Sequence, residues 1–143
     1  MGAPATRRVF ILAAKMNISP KFVKHGGLIP AVVQDAGTNR VLMVGYMNAE
    51  AFDRTVRTGR VTFFSRSRQK LWTKGESSGH YLAVKSMAID CDGDALLVRA
   101  ELLGPGVCHE GYESCFYRSL QDGEWVETDQ RVYDPDLIYG AGQ

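Results

Sequence analysis

The sequence predicts a mainly β (α+β) domain of short strands with one short helix, and three features of the chain support this fold class. Fifteen glycines are spread along the 143 residues, which is typical of short strands joined by turns. The apolar runs are short, and some alternate with polar residues as strands with one solvent-facing side do. Only residues 49–58 have both the spacing and the capping residues of a helix.

Seven segments are predicted as strands from their β-branched, aromatic or alternating apolar residues. They are residues 28–33, 41–46, 61–64, 81–89, 96–103, 112–118 and 124–128. Pro30 predicts an edge position for the first strand, because proline has no N–H to donate to a neighbour. In the fifth segment Arg99 and Glu101 stand two residues apart, which favours a strand over a helix.

The predicted helix has clear start and stop signals. Asn48 is a good N-cap, and Gly59 stands where a glycine in the left-handed conformation ends a helix. Ala51, Phe52 and Val56 recur at helical spacing, so they predict the buried face.

Composition and charge exclude several classes of protein. Apolar residues make up 45% of the chain and charged residues 23%, which are globular values and not those of a disordered chain. The 17 basic and 16 acidic residues nearly balance, which argues against a surface built to coat nucleic acid or an anionic membrane. No apolar run approaches the 18 residues or so of a membrane span, so none is expected.

The chain is expected to form one cytoplasmic domain over residues 16–143, preceded by a peripheral N-terminal extension at 1–15. The length fits a single domain. In the extension, Arg7 and Arg8 precede an apolar run that is too short for a secretory signal, and no small-residue cleavage site follows it.

The three cysteines are the first indication of chemistry. They are Cys91, Cys108 and Cys115, an odd number in a domain that does not need disulfides. Catalytic zinc takes three protein ligands and leaves an open position for water, whereas structural zinc takes four. Three cysteines therefore indicate a catalytic zinc site, unless His109 closes it. If two chains each contribute cysteines, the site could also lie at a dimer interface. Inert buried thiols, or a cysteine nucleophile paired with His109, are the other interpretations.

The run 90–94 places three carboxylates around Cys91. These are Asp90, Asp92 and Asp94, and carboxylates suit Mg²⁺. On an extended strand successive carboxylates lie about 6.6 Å apart, too far for one ion to bind all three. Either the backbone turns at Gly93 or only two of them bind. A metal-free acidic turn is the alternative, while an EF-hand is disfavoured because Ala95 replaces the glycine that such a loop needs.

The segment 65–80 is polar, hydroxyl-rich and locally basic, as phosphate-binding loops are. Its candidate substrate-binding residues are Ser65, Arg66, Ser67, Arg68, Trp72, Lys74, Ser78 and Gly79. Trp72 offers a flat surface on which a nucleobase can stack. Because the total charge is near neutral, a small phosphorylated ligand fits this patch better than a nucleic-acid polymer. A solvated surface loop is the alternative.

Taken together, these blocks resemble the phosphoribosyl-AMP cyclohydrolase family of histidine biosynthesis. The resemblance covers about residues 26–118 and is carried by Gly-Gly-Leu-Ile-Pro-Ala at 26–31, Tyr-Met-Asn at 46–48, Ser-Arg-Ser-Arg at 65–68, Leu-Trp-Thr-Lys-Gly-Glu at 71–76, Ser-Gly-His at 78–80, Asp-Cys-Asp-Gly-Asp at 90–94, Cys-His-x-Gly at 108–111 and Ser-Cys-Phe-Tyr-Arg at 114–118. The 25 residues after Arg118 are too few for the pyrophosphohydrolase domain often fused in this family, so a monofunctional enzyme is expected.

The resemblance implies a compact β pseudobarrel in an intertwined homodimer. It implies Zn²⁺ held by Cys91 of one subunit with Cys108 and Cys115 of the other, and Mg²⁺ held by the three aspartates. Two positions depart from the family. Glu113 replaces a residue that is often basic, which puts one phosphate contact in doubt, and Gly45 stands where alanine is common.

The implied reaction is hydrolytic opening of the adenine ring of 1-(5-phosphoribosyl)-AMP at the N1–C6 bond by a zinc-activated water. The product is the phosphoribosyl-formimino-AICAR-phosphate intermediate of histidine biosynthesis. His109 is the candidate general acid/base, with His80 as the second choice. Mg²⁺ with Arg66, Arg68 and Lys74 would position the phosphates.

Two other functions are weighed against this reaction. A zinc-dependent nucleobase deaminase requires a His-x-Glu before a Pro-Cys-x-x-Cys, and the sequence has neither. A zinc-stabilised nucleic-acid-binding module without catalysis requires a fourth zinc ligand and excess positive charge, which the balanced composition disfavours. No nucleic acid or membrane partner is therefore expected.

Overall fold

The computed structural model describes residues 18–23 and 26–139, and the predicted extension at 1–15 lies outside these residues. The described part is mainly β, as predicted. Its elements are β1 (Ile29–Asp35), β2 (Val41–Met47), α1 (Ala49–Thr58), β3 (Thr62–Ser65), β4 (Lys70–Thr73), β5 (Tyr81–Ile89), β6 (Leu96–Leu103), β7 (Arg118–Gln121), β8 (Glu124–Glu127) and α2 (Pro135–Tyr139). Neither helix of this part is long and apolar enough to cross a membrane.

A four-stranded sheet with the order β2-β1-β6-β5 forms the centre of the fold. β1 runs antiparallel to β2 and parallel to β6, and β5 runs antiparallel to β6. Segment 96–103 is thus a strand, as the spacing of its charged residues predicted. The crossover from β1 to the parallel β6 contains α1 and the hairpin of β3 and β4, and this hairpin carries most of the candidate substrate-binding residues.

The edge position predicted for the first strand from Pro30 is wrong, because β1 is an inner strand with neighbours on both sides. Pro30 pairs with Tyr46 of β2, but the pairing with β6 begins only at Ala31. The missing N–H of Pro30 therefore falls before the second ladder starts, which is one of the places where a strand tolerates proline.

The hydrophobic core lies where α1 and β3 pack against β2 and the buried face of the sheet. β1 and β6 alternate between buried and less buried residues over their first positions, so each contributes one apolar face. The largest buried side chains are Phe63, Ile29, Leu42, Met47 and Leu82.

The caps of α1 are formed as predicted. The Asn48 side chain accepts a hydrogen bond from the Ala51 N–H, and Gly59 takes a left-handed conformation with φ of 74°. The predicted buried face needs one correction, since α1 buries Ala51 and Thr55 while Val56 is 57% exposed. The Thr55 hydroxyl can be buried because it donates to the Ala51 carbonyl.

The described strands form no closed barrel, in contrast to the pseudobarrel that the resemblance implied. β2 and β5 are the two outer strands of the four-stranded sheet, and the β3–β4 and β7–β8 hairpins are separate two-stranded sheets. A single bridge between Arg60 and Ala83 links the chain before β3 to β5. The sheet stays open because this pairing does not continue into a ladder.

Two other strand predictions differ from the structure. No strand spans 112–117, because the backbone there forms an irregular loop, and β7 begins only at Arg118. Conversely, β4 lies within the segment interpreted as a polar loop and pairs with β3. α2, which has only five residues, was also not predicted.

The departure from the family at Gly45 has a packing reason. A Cβ at this position would lie 2.4 Å from a ring carbon of Phe63, which is only 1% exposed.

We expect Gly45→Ala to lower the free energy of unfolding by about 1–3 kcal/mol, because a filled core has no room for the methyl group. Urea titration measures the change. Gly37→Ala is the control, since its Cβ would meet only the end of the Asp35 carboxylate, at 3.3 Å. Equal losses in both variants would contradict the prediction.

Candidate active site

An open cavity of about 410 Å³ lies beside the β3–β4 hairpin and the turn that follows it. Six of the eight candidate substrate-binding residues line it, together with His109; they are Ser65, Ser67, Arg68, Trp72, Lys74 and Ser78. The volume is in the range that holds a small ligand. The hairpin and the loop of Cys108 therefore meet at one cavity, although 34 residues separate Lys74 from Cys108 along the chain.

Two of the candidate residues lie outside this cavity. Arg66 lines an adjoining cavity, with its guanidinium 4.4 Å from the centre of the Tyr46 ring. Gly79 has φ of 80° and donates its N–H to the Gly75 carbonyl, so it forms the tight turn that leads into β5.

Trp72 faces both the core and the cavity. Its strand position is paired with Phe63, and the two rings lie 5.1 Å apart. The same side chain lines the cavity and lies 5.7 Å from the Lys74 ammonium. Packing against Phe63 fixes the indole, so it presents a rigid flat surface to a ligand.

Lys74 lies close to Cys108 and Cys115. Burial lowers the pKa of the Lys74 ammonium, and the two thiol groups act in the opposite direction. Burial, followed by the nearby Cys108 thiol, raises the pKa of Cys115 to about 11, while Lys74 acts to lower it. Cys108 and Cys115 are therefore adjacent, and a metal that binds Cys115 must displace the proton of its thiol.

The loop that carries this pair of cysteines is held by its backbone. The Cys108 N–H donates to the Tyr112 carbonyl at 3.1 Å, and the Cys115 N–H donates to the Leu42 carbonyl of β2 at 2.8 Å. The Tyr112 and Tyr117 rings stack at 3.6 Å and close the base of the loop.

Glu113, the departure from the family in this loop, has a partner within the chain. Its carboxylate accepts from Arg40 at 2.8 Å, and Arg40 also pairs with Asp129. The charge reversal at Glu113 is thus compensated by an ion pair that ties the loop to the start of β2. The sequence showed the departure but not this partner, which lies 73 residues away.

Cys91 is not brought to the other two cysteines. It is exposed in the turn between β5 and β6, and its thiol donates to the Asp92 carboxylate at 3.0 Å. That hydrogen bond and the negative charge of Asp92 raise the pKa of the Cys91 thiol. Within 18–23 and 26–139, three potential metal ligands come within 4.8 Å of one another only at the aspartate cluster.

The three aspartates do converge, because the backbone turns at Gly93. Their ligand oxygens lie within 4.8 Å of one another, although an extended strand would separate them further. Gly93 has φ of 75°, and its N–H donates to the Asp90 carbonyl at 3.1 Å. Asp90 Oδ1 accepts the N–H groups of Asp94 and Ala95, and these hydrogen bonds lower the pKa of the carboxyl. Of the two geometries that the aspartate spacing allows, the structure adopts the turn.

The two candidate histidines differ in environment. The His109 side chain is 76% exposed and lines the cavity, with Nε2 3.3 Å from the Glu110 carboxylate. His80 is buried, and its Nδ1 lies 3.0 Å from the Gly106 carbonyl. A carbonyl can only accept, so Nδ1 of His80 carries the hydrogen. His109 thus lies at the cavity, whereas His80 is buried and does not line it.

Sequence reasoning missed two residues of this region. Tyr139 lines the cavity from α2, far from every motif and with no sequence signal. Ser114 is fully buried, and its hydroxyl donates to the Val41 carbonyl at 2.8 Å and accepts the Phe116 N–H at 2.9 Å. The sequence signal available for Ser114 was its position immediately before Cys115, a candidate metal ligand.

Ser114→Ala tests whether this hydroxyl holds Cys115 in place. The change leaves the Phe116 N–H without its acceptor, so we expect the free energy of unfolding to fall by about 1–3 kcal/mol. If Cys115 is a zinc ligand, the variant should also release zinc more readily. Urea titration and zinc release to a chromogenic chelator measure the two effects. Ser119→Ala, on the exposed β7, is the matched control. Unchanged zinc release would show that the hydroxyl does not position Cys115.

Known proteins match this chain over most of its length. The model of the family "Phosphoribosyl-AMP cyclohydrolase" matches residues 43–117. The protein of that name from Solibacter usitatus is 63% identical over 126 residues, covering 88% of this chain and 98% of the relative. Those from Nitratidesulfovibrio vulgaris and Desulforapulum autotrophicum are each 50% identical, covering 84% and 82% of this chain and 95% of each relative.

These matches, with the cavity and its polar lining, define the chain as a hydrolytic enzyme. The matches favour a hydrolytic enzyme over the non-catalytic nucleic-acid-binding module. The chain belongs to the phosphoribosyl-AMP cyclohydrolase family, as the sequence resemblance predicted.

Proposed function

We propose that this enzyme hydrolyses 1-(5-phosphoribosyl)-AMP in histidine biosynthesis, adding water across the N1–C6 bond to open the adenine ring. One observation carries the proposal: a single cavity joins the basic, hydroxyl-rich hairpin to His109, which directly follows Cys108. A relative of 63% identity that bears the name of this activity supports the same reaction.

The donor sets of the chain fit two kinds of metal. Three carboxylates within 4.8 Å of one another are hard ligands and suit Mg²⁺. The thiols of Cys108 and Cys115 are soft ligands and suit Zn²⁺, with Cys91 as the third. When bound, zinc lowers the pKa of a water molecule to about 7 and so supplies hydroxide at neutral pH.

A second subunit supplies the missing thiol in this proposal. Cys91 does not group with the other two cysteines of its own chain, so Cys91 of one protomer would complete the site of its partner. The β7–β8 hairpin supports a homodimer, because Leu120 and Trp125 are 60% and 71% exposed on it. A two-stranded hairpin is marginally stable alone, and covering this apolar surface would stabilise it.

The hairpin residues bind and orient the nucleotide. Arg68 and Lys74 line the cavity and would bind phosphate oxygens, as would the hydroxyls of Ser65 and Ser67. Arg66 would reach the same ligand from the adjoining cavity. The fixed indole of Trp72 would stack on the purine, with the adjacent Lys74 ammonium favouring an anionic ligand.

His109 is the proton carrier in this proposal. Its imidazole lines the cavity and is largely exposed, so it can approach the reacting ring. As the water oxygen bonds to C6, the imidazole takes the proton of that water, and it returns a proton to N1 as the N1–C6 bond breaks. His80 does not serve here, because its ring is buried and its Nδ1 hydrogen is committed to Gly106.

A spectrophotometric assay tests the reaction. Purified protein loaded with zinc is given phosphoribosyl-AMP and Mg²⁺, and ring opening is followed by ultraviolet absorbance. We expect turnover that a zinc chelator stops and that added zinc restores. A folded, zinc-containing protein that leaves the substrate intact would overturn the proposal.

A further inference from the structure

The segment after β8 lies over the loop that carries Cys108, although it falls outside the matched residues 43–117. The Val132 N–H donates to the Gly111 carbonyl at 2.8 Å, and the Arg131 Nε donates to the Glu110 carbonyl at 2.8 Å. Hydrogen bonds from two consecutive residues, one through a side chain and one through the backbone, thus fix the segment to the loop.

Tyr133 anchors this segment next to the site. Its hydroxyl donates to the Cys108 carbonyl, and its ring lies edge-on to His80 at a centroid distance of 4.9 Å. The course of the chain into α2 is therefore fixed by a side chain bound to the backbone of a candidate zinc ligand.

From this anchor, α2 brings Tyr139 to the cavity. Tyr139 is half-buried, interacts with the hydroxyl of Tyr133, and lines the same cavity as Trp72 and His109. Leu137, on the same short helix, is 82% exposed and does not line the cavity. Of these two side chains, only Tyr139 is directed to the site.

We propose that Tyr139 is a nucleotide-binding residue, and that Tyr133 is the positioning residue that fixes it there. The inference rests on the proposed function, since it takes the cavity to be the nucleotide site. A phenol presents an apolar ring with a polar edge, which matches the sugar and base of a nucleotide more closely than its phosphates. The hairpin residues thus bind phosphate, while Tyr139 adds an aromatic wall from the C-terminal segment.

The test uses AMP as the probe, because it carries the base, sugar and one phosphate of the substrate and is not turned over in the proposed reaction. Isothermal titration calorimetry gives its dissociation constant for the wild type, Tyr139→Ala, Tyr139→Phe and Leu137→Ala. We expect Tyr139→Ala to weaken AMP binding about tenfold, the loss of about 1.4 kcal/mol of aromatic contact. Leu137→Ala should bind as the wild type does. Tyr139→Phe, which keeps the ring, should lose less than Tyr139→Ala.

Two further readouts keep the result specific. Unchanged zinc content and unfolding midpoint in Tyr139→Ala would show that the lost affinity is local and not a loss of structure. Equal AMP affinity in the wild type and Tyr139→Ala would overturn the inference, as would a wild type that does not bind AMP. Turnover of phosphoribosyl-AMP by the wild type is scored separately, so a failure of the proposed reaction is distinguished from a failure at Tyr139.

Discussion

Replacing Cys108 by serine is expected to abolish turnover while leaving a folded protein. In the proposed reaction, loss of a thiolate ligand would remove the zinc chemistry, which would contribute several kcal/mol, so kcat/KM should fall by about a thousandfold or more. The fold should survive, because Cys108 holds the loop through its backbone N–H and carbonyl, and serine keeps both. Kinetic assay and zinc analysis of the purified variant measure the effect.

Cys91→Ser and Cys115→Ser should behave in the same way, since each removes one of the three thiols. Ser119→Ala, on the exposed β7, should keep full activity and zinc content. A Cys108→Ser protein that retains wild-type activity after exhaustive chelation would refute a zinc-dependent reaction.

Two inactive variants are expected to restore activity when they share a dimer. Cys91 does not group with Cys108 and Cys115 within one chain, so each proposed site combines cysteines from both protomers. A hybrid of Cys91→Ser and Cys108→Ser subunits then has one site with all three cysteines and one site that has lost two. Half of the randomly formed dimers are hybrids with one working site of two, so co-expression should recover about a quarter of wild-type activity.

The matched control for this experiment is a hybrid of Cys108→Ser and Cys115→Ser subunits. Both changes fall on the same side of the proposed site, so neither site of the hybrid is complete and activity should stay absent. If the three thiols instead met within one chain, both pairs of variants would remain equally inactive. Mass spectrometry of the co-purified dimers shows that hybrids are present in each case.

Local signals in the sequence predicted much of the fold. The caps at Asn48 and Gly59 defined α1, because capping depends on the few residues at each end. The edge position predicted for β1 was wrong. Pro30 indicates only that its own N–H is missing, and it does not indicate where a distant strand begins to pair with β1. Sheet order depends on contacts between residues far apart in the chain, and no local pattern encodes them.

In the candidate site too, local features could be predicted from the sequence, whereas long-range contacts could not. The turn at Gly93 was one of two geometries that follow from the spacing of the aspartates. The chemistry of the hairpin residues indicated a phosphate site, which stays a prediction, but β4 was missed because polar side chains obscured its pairing with β3. Arg40 and Tyr139 reach this region through tertiary contacts, and nothing near them in the sequence indicates this.

The parallel pairing of β1 with β6 has a consequence for the order of folding. It joins Ala31 to Leu96, so the ladder cannot close until a long stretch of chain has been brought together. The β1–β2, β3–β4 and β5–β6 pairs join neighbours in sequence and can form early, whereas the contact between β1 and β6 raises the contact order and slows the last step. During synthesis, the central sheet therefore remains incomplete until the residues of β6 have left the ribosome.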